Sequence, residues 1–403
     1  MPSTATEQGA AEAAPDISAT AKGTVDARVA PRVVHATADP DGRRPKGSGD
    51  RLRALDGLRI VAALMVALFH YVGKAQTAEA WGRNPRDLFP DLSHVAFYGN
   101  LGVQLFFVIS GFVICMSSWG KSAGDFFRSR VSRLYPAYWA AILLVTAACV
   151  AMPTVIKPLR PNEVLVNFTM VQQPMGVPRV LGVDWTLWVE ARFYLLFALF
   201  VIVKGVTYRR VVVFCGLWTV AGVFARVAHN PLTDELVMRD HAPFFIGGLA
   251  LYLIHRYGSD LLLWGIVGVS FLTGQRYVVT ALWDPHAPFH RSPLVIQTAV
   301  ALCFVAVAAV ALGWLRWADW RWLTIAGALT YPFYLVHEHL GWFAIAGLHQ
   351  HLEFTPRQTL AATLVGLLML AYVIHRLVEK PVGLWLKRAM TSQAARVRAA
   401  VRA

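Results

Sequence analysis

Ten long apolar blocks divide the chain from residue 57 onward, and they constrain its fold more than any other feature. An α-helix needs about 20 residues to cross the hydrocarbon core of a bilayer, and most blocks approach that length. The blocks occupy 57–76, 97–117, 134–152, 185–204, 210–228, 242–256, 260–277, 294–314, 323–347 and 357–378. They predict an all-α, polytopic transmembrane helix bundle with about ten spans.

One pair of blocks leaves the number of spans open. A Tyr257-Gly258-Ser259 turn separates the blocks at 242–256 and 260–277, and the first of these is short. The pair is compatible with two tilted spans or with one interrupted span.

Composition supports a membrane protein. Hydrophobic residues make up 56% of the 403 residues and charged residues only 15%, whereas soluble proteins carry about a quarter charged residues. The net charge of +14 would indicate nucleic acid in a soluble protein. Here the basic residues lie in short segments between apolar blocks, so we expect no nucleic-acid partner.

The distribution of basic residues predicts the orientation. Every second connecting segment is basic, as are both ends of the apolar region. By the positive-inside rule that side faces the cytoplasm, which predicts an even number of spans, both termini in the cytoplasm and a multi-pass protein of the cell membrane. The residues concerned are Arg51, Arg53, Arg128, Arg130, Arg133, Lys204, Arg209, Arg210, Arg256, Arg316, Arg321, Lys380, Lys387 and Arg388.

Three regions follow from these patterns. Residues 1–50 lack apolar periodicity and are predicted to be a disordered cytoplasmic tail. Residues 51–385 form the transmembrane domain, and 386–403 form a basic cytoplasmic tail. No apolar signal-peptide core precedes Leu52, so we expect no cleaved signal.

Ionisable residues inside the predicted spans are candidates for function, because a charge in the bilayer is costly. They are Arg59, His70, Glu190, Arg192 and His337.

Arg59 and His70 lie eleven residues apart, close to three helical turns. They therefore share one face of the first span, roughly 16 Å apart along its axis. Alternatively, Arg59 reaches lipid phosphates and His70 bonds to a neighbouring helix.

His70, His337 and Glu190 are predicted to lie at nearly the same depth. Two histidines and a carboxylate at one level could form a catalytic acid–base site, in which a neutral histidine deprotonates a hydroxyl. The sequence leaves open whether the three helices are neighbours and whether Arg192 is the partner of Glu190.

The segment DFFRSRVSRLYPAYW is read as a cytoplasmic loop that carries Arg128, Arg130 and Arg133. Three closely spaced guanidinium groups could clamp a polyphosphate. Topology and lipid headgroups alone could also explain them.

Metal binding is not expected. In His337-Glu338-His339, adjacent residues point in different directions on a helix, and no third ligand has suitable spacing. The four cysteines, Cys115, Cys149, Cys215 and Cys303, each lie alone inside an apolar block, so structural disulfides and zinc sites are not expected either.

From about Leu52 to Pro381, the chain resembles the acyltransferase-3 family of integral membrane O-acyltransferases. The opening RALDGLRIVAALMVALFHY is similar to the family's first span, and NLGVQLFFVISGFVI to its second. FFRSRVSRLYPAYW, DWTLWVEARFYLL, GALTYPFYLVHEHL and VEKPVG resemble later signatures, in the family's order. The last motif departs from the family at Lys380 and Gly383, where a second basic residue is common.

The resemblance implies transfer of an acyl group, usually acetyl from acetyl-CoA, to a hydroxyl of a carbohydrate, glycolipid or antibiotic sugar. It makes Arg59 and His70 the essential pair and places Glu190 and His337 in family motifs. Acyl-CoA is then a substrate, and no tightly bound cofactor is expected. No hydrolase domain of the SGNH type follows the last span, so transfer is expected to be completed in the membrane domain or by a separate protein.

Two functions of different classes remain. In the first, the donor's phosphates bind to Arg59, Arg128, Arg130 and Arg133, and His70 acts as general base or carries the acyl group transiently. In the second, the protein is a proton-coupled transporter of a glycolipid or small hydroxylated molecule, with the buried histidines and carboxylate as a proton relay. The outer segments 77–96, 153–184 and 276–293 are expected to contact the substrate.

Overall fold

The structure is a computed structural model that describes residues 52–283 and 292–402. Within those residues it is helical, with no strand. The predicted tail at 1–50, Arg51 and part of the predicted outer segment 276–293 lie outside the described residues. The α-helices are α1 Arg53–Leu68, α2 Ala78–Trp81, α3 Pro85–Leu88, α4 Pro90–Phe97, α5 Gly102–Ser118, α6 Ala123–Ala151, α7 Pro161–Asn167, α8 Trp185–Phe197, α9 Tyr208–Ala228, α10 Pro231–Val237, α11 Ala242–Tyr257, α12 Leu261–Leu282, α13 Pro293–Ala311, α14 Arg321–Ile345, α15 Pro356–Ile374 and α16 Lys380–Arg402.

Each predicted apolar block contains one long helix, which confirms the all-α polytopic bundle. Among the described residues, eight helical stretches are long and apolar enough to cross a bilayer. The two remaining blocks hold α11, which is only 16 residues long, and α14, which has 25. The blocks on either side of the Tyr257-Gly258-Ser259 turn form separate helices, because Gly258 ends α11 with a positive φ of 99°.

The centre of the bundle consists of α1, α5, α11 and α14, in which α5 packs on α11 and α1 on α14. Nearly all of α11 is buried, as expected of a helix that is apolar on every side. Glycines permit its close approach to α5. A Cβ atom at Gly111 would lie 2.2 Å from the Phe245 carbonyl oxygen, and one at Gly248 would lie 2.0 Å from that of Val108.

The first span ends in a π turn at Phe69–Gly73. π turns add a residue to the helical turn and are frequent at functional sites. The carbonyl oxygen of His70, inside this turn, accepts a hydrogen bond of 3.1 Å from the Trp342 indole on α14. The turn therefore locks the end of the first span to α14.

The basic segment predicted as a loop is helical. α6 begins at Ala123, where the Ser122 side chain accepts a hydrogen bond from the Asp125 amide and caps the helix. The buried Phe126 and the ion pair between Arg128 and Asp125 extend regular structure through the segment. The third predicted span starts at residue 134, eleven residues after the start of α6. The first turns of this helix carry basic residues, so they do not belong to an apolar block.

The C-terminal boundary predicted at 385/386 lies inside a helix. α16 runs without interruption from Lys380 to Arg402, and its first part packs on α6. At Gly383, a Cβ atom would lie 2.7 Å from the Ser132 carbonyl oxygen. The departure from the family motif at Gly383 thus coincides with a close contact between helices.

Replacing Gly248 by Val should destabilise the bundle, because the new side chain meets the backbone of α5. Overpacking of this kind costs about 1–3 kcal/mol where the structure can adjust, and backbone adjusts poorly. We expect a lower unfolding midpoint by several degrees, or loss of monodisperse protein in detergent, as measured by scanning fluorimetry. Gly222→Val on α9 is the control, since no atom lies within 4 Å of a Cβ atom there. Equal midpoints for the two variants would contradict this account of the crossing.

Candidate functional site

A histidine and a carboxylate meet between the first span and α14. The Nδ1 atom of His70 lies 2.9 Å from Oε1 of Glu338, and both side chains are largely buried. Despite this short distance, the contact does not meet hydrogen-bond geometry. Such bonds are often misaligned before substrate binds. A carboxylate only accepts hydrogen bonds, which favours the proton on Nδ1 and leaves Nε2 of His70 as the basic atom.

Glu338 also has a cationic neighbour. Lys74 donates to the same oxygen, Oε1, over 3.0 Å and lies above the Trp342 ring, 5.2 Å from its centroid. The other oxygen, Oε2, is buried without a hydrogen-bond partner among the described residues. The carboxylate is thus held on one side and leaves one acceptor for a substrate group or a realigned His70.

His337 lies beside His70, with ring centroids 5.3 Å apart. It is fully buried, and its Nδ1 donates to the Tyr334 carbonyl oxygen over 2.7 Å. Nε2 therefore carries the lone pair in the neutral ring, and among the described residues it has no hydrogen-bond partner. The Tyr71 hydroxyl donates to the His337 carbonyl oxygen over 2.7 Å and fixes this part of α14 against the first span.

The connection between α7 and α8 covers this pair of helices. A Cβ atom at Gly182 would lie 2.0 Å from Oε2 of Glu338, so only glycine allows the backbone to pass there. The segment is held by His339, whose Nδ1 donates to the Val180 carbonyl oxygen over 2.7 Å. Asn167, fully buried, accepts from the Val180 amide and donates to the Pro178 carbonyl oxygen. The segment 153–184, predicted to lie on the outer side, therefore reaches the site through residues 178–184.

Asp184 anchors the end of that segment, just before the span formed by α8. Its carboxylate is fully buried and accepts a 2.6 Å hydrogen bond from Gln172. Burial raises the pKa of Asp184 to about 7, although the Arg179 guanidinium, 3.6 Å away, and the Gln172 amide oppose the shift. Asp184 therefore titrates near neutral pH in the folded protein.

A second group of charges lies around a small cavity of about 70 Å³. Arg59 and Glu190 both line it, together with Thr186, Tyr334 and Phe106. The Tyr334 hydroxyl lies 3.1 Å from that of Thr186, and the Tyr334 ring packs on His337 with centroids 5.4 Å apart. Tyr334 thus stands between the cavity and the two histidines.

The arginines of α6 face different directions. Residues two apart on a helix differ by about 200°, so Arg128 and Arg130 point to opposite sides. Arg128 pairs with Asp125. Arg130 is buried, donates to the Ser117 hydroxyl over 2.5 Å and lies over the Phe126 ring. Arg128 and Arg130 therefore do not face one ligand together, as the polyphosphate clamp, one of the two interpretations that the sequence leaves open, would require.

Two of these arginines instead join Arg59. The Arg133 charge acts on both Arg59 and Arg130, and Glu190 lies within electrostatic range of the same two residues. Within residues 52–283 and 292–402, no ion pair is recorded for Arg59, Arg130 or Arg133. Asp56 also lies within electrostatic range of Arg59. The three guanidinium groups therefore outnumber the two carboxylates near them and leave a positive potential.

The structure brings together only part of the predicted catalytic set. His70 and His337 are neighbours, but the carboxylate beside them is Glu338, whereas Glu190 lies with Arg59. Arg192 pairs with Glu235 at 2.9 Å rather than with Glu190. In the sequence, Glu338 attracts attention only as a possible metal ligand, within His337-Glu338-His339. Its position inside a predicted span was the signal that could have identified it.

No group of three or more histidine, cysteine or acidic side chains with metal-binding geometry occurs in the described part of the chain.

A polytopic bundle of apolar helices of spanning length defines an integral membrane protein. The chain belongs to the acyltransferase-3 family, whose model, described as an acyltransferase domain, matches residues 52–387. The resemblance found in the sequence is thereby confirmed. The protein is a multi-pass membrane acyltransferase, and the group that it transfers is not an aminoacyl group.

The curated relatives agree with this assignment. The acyltransferase MdmB from Streptomyces mycarofaciens is 26% identical over 379 residues, which cover 82% of this chain and 91% of the relative. The peptidoglycan O-acetyltransferase OatA from Listeria monocytogenes is 26% identical over 45% of this chain and 30% of its own length. The exopolysaccharide production protein ExoZ from Rhizobium meliloti is 33% identical over 25% of this chain and 33% of its own. No solved structure matches the chain.

The titration of Asp184 predicts a pH-dependent stability. The unfolded chain loses this proton near pH 4 and the folded protein near pH 7, so the folded state binds more protons in between. Stability should therefore fall as pH rises from 4 to 7, by up to about 1.4 kcal/mol per pH unit, and level off above. Asp184→Asn should remove this slope in unfolding midpoints measured by scanning fluorimetry. Asp87→Asn, at an exposed site, should leave the slope unchanged. Parallel profiles for wild type and Asp184→Asn would refute the assignment.

Proposed function

We propose that the protein transfers an acyl group from acyl-CoA, acetyl-CoA in the first instance, to a hydroxyl of a carbohydrate, glycolipid or antibiotic sugar. The contact of 2.9 Å between His70 and Glu338 carries this proposal. A buried imidazole oriented by a carboxylate is the arrangement that activates a hydroxyl for attack on an acyl carbon. The names of the relatives OatA and ExoZ, which refer to peptidoglycan and exopolysaccharide, favour a glycan acceptor.

In this mechanism Nε2 of His70 takes the proton of the acceptor hydroxyl as its oxygen attacks the thioester carbonyl. The new C–O bond forms and the C–S bond breaks. The imidazolium then returns the proton to the departing CoA sulfur. Glu338 stabilises the imidazolium and keeps the Nδ1 proton in place. His337, whose Nε2 is unpaired among the described residues, lies beside His70 and is proposed to orient a reacting group.

The donor's phosphates are proposed to bind at the group formed by Arg59, Arg130 and Arg133. Guanidinium groups bind phosphate with charge-assisted, often bidentate hydrogen bonds. This group lies toward the start of the first span and His70 at its end, roughly 16 Å apart along a helix. With the termini in the cytoplasm, as the positive-inside rule predicts, the arginines would face the side where CoA is made. An extended CoA arm could then reach His70.

Removing either member of the His70–Glu338 pair should stop the chemistry without unfolding the protein. We expect His70→Ala to abolish acyl transfer and Glu338→Gln to lower kcat by about 100-fold or more, measured as CoA release by purified protein in detergent. Glu235→Gln, which breaks an ion pair outside the site, is the matched control. Near-normal turnover in His70→Ala would sink the mechanism. Activity in detergent, where no gradient exists, also separates an enzyme from a proton-coupled transporter.

The arginines of α6 should differ in their effect on the donor. Arg133→Ala should raise the Michaelis constant for acyl-CoA about tenfold or more, because a hydrogen bond to a charged group is worth about 1.5–3 kcal/mol, while the constant for the acceptor stays nearly unchanged. Arg128→Ala is the control, since Arg128 already pairs with Asp125. An equal effect of both variants would indicate a role in insertion or lipid binding, and an unchanged donor constant in both would remove α6 from the donor site.

A further inference from the structure

The cavity beside Tyr334 has walls of opposite charge. Arg59 enters it from α1 and Glu190 from α8. Each charge lies within electrostatic range of the other. No ion pair joins them in the described part of the chain, although both are partly buried. A partly buried charge is stabilised when a group of opposite charge or a hydrogen-bonding group contacts it. A small gap between a cation and an anion therefore calls for a group that satisfies both.

The chemistry of the gap restricts that group. A guanidinium only donates hydrogen bonds and an ionised carboxylate only accepts them. The bound group must therefore present an acceptor to Arg59 and a donor to Glu190. A secondary amide does so at two adjacent positions, with its carbonyl oxygen on one side and its N–H on the other.

Volume and position restrict it further. The cavity of about 70 Å³ is about half the volume of an engineered apolar cavity that binds benzene, so a narrow chain fits it better than a sugar ring. Its other walls are apolar or aromatic and include Val103, Phe106 and Leu187. These walls suit the methylene groups on either side of an amide. On one side lie Arg130 and Arg133, assigned to the donor's phosphates, and on the other Tyr334 and the two histidines. Arg59 lines the cavity and also belongs to the phosphate group, so it stands where the two meet.

The arm of a CoA thioester has these properties. It carries two secondary amides, separated by methylene groups, between the phosphates and the sulfur. We propose that Arg59 and Glu190 together bind one of these amides and so aim the thioester past Tyr334 toward His70. This inference rests on the proposed function. It makes Glu190 a donor-binding residue rather than the carboxylate that activates His70.

The test compares acetyl-CoA with analogues in which one amide N–H is replaced by an ester oxygen. Binding is measured by calorimetry on the complete protein in detergent, so no acceptor is needed. Wild type should bind one of the two ester analogues about tenfold or more weakly than acetyl-CoA, the fold-change expected for loss of a hydrogen bond to a charged group. In Glu190→Leu that ratio of Kd values should fall to about one.

Two further variants keep the test decisive. Glu190→Gln retains an acceptor oxygen without the charge and should give an intermediate ratio, which serves if the Leu variant does not fold. Glu235→Gln, outside the cavity, should keep the wild-type ratio. Because the ratio compares two ligands on one protein, general damage to the fold does not change it.

The outcomes separate this inference from the proposed function. If wild type binds acetyl-CoA but discriminates against neither analogue, the amide is not bound here and the inference fails alone. It also fails if the discrimination persists in Glu190→Leu and Glu190→Gln, because Glu190 is then not the acceptor. If wild type does not bind acetyl-CoA at all, the proposed donor is wrong and both proposals fall.

Discussion

The contact between His70 and Glu338 is the interaction on which the rest of the site depends. A carboxylate inside a membrane bundle is tolerated only when cationic or hydrogen-bonding groups reach it. Here the first span supplies both His70, inside the π turn, and Lys74, directly after it. The Trp342 indole holds that turn against α14, and Gly182 lets the covering segment approach Glu338. Packing around one charged contact therefore determines the local geometry.

The first span also separates two chemical environments. Near its start, Arg59 faces other guanidinium groups, and near its end His70 faces a carboxylate. The cavity beside Tyr334 lies between them. An anionic donor and a neutral hydroxyl have opposite electrostatic requirements, and a single helix presents a suitable surface to each. In the proposed mechanism, the distance along the helix separates the phosphates of the donor from the hydroxyl of the acceptor.

The sequence predicted the bundle well because span length and apolarity follow directly from bilayer thickness. It also placed His70 and His337 at one depth, since rise per residue converts position into depth. The sequence does not show which helices are neighbours in the bundle. It therefore groups Glu190 with the histidines and does not identify Glu338 as their carboxylate partner. The sequence predicts a loop before residue 134 because this segment is rich in charged residues. It is helical from Ala123, where Ser122 caps the helix.

The two sides of the site come from opposite ends of the polypeptide. Lys74 and Glu338 are 264 residues apart in sequence. Spans enter a bilayer individually and associate afterwards. His70 and Lys74 on the first span therefore contact Glu338 only after α14 has been inserted. During that interval lipid or transient helices surround groups that lipid solvates poorly. Assembly of the last spans thus completes both the fold and the proposed active centre, and we expect a nascent chain that stops short of α14 to be inactive.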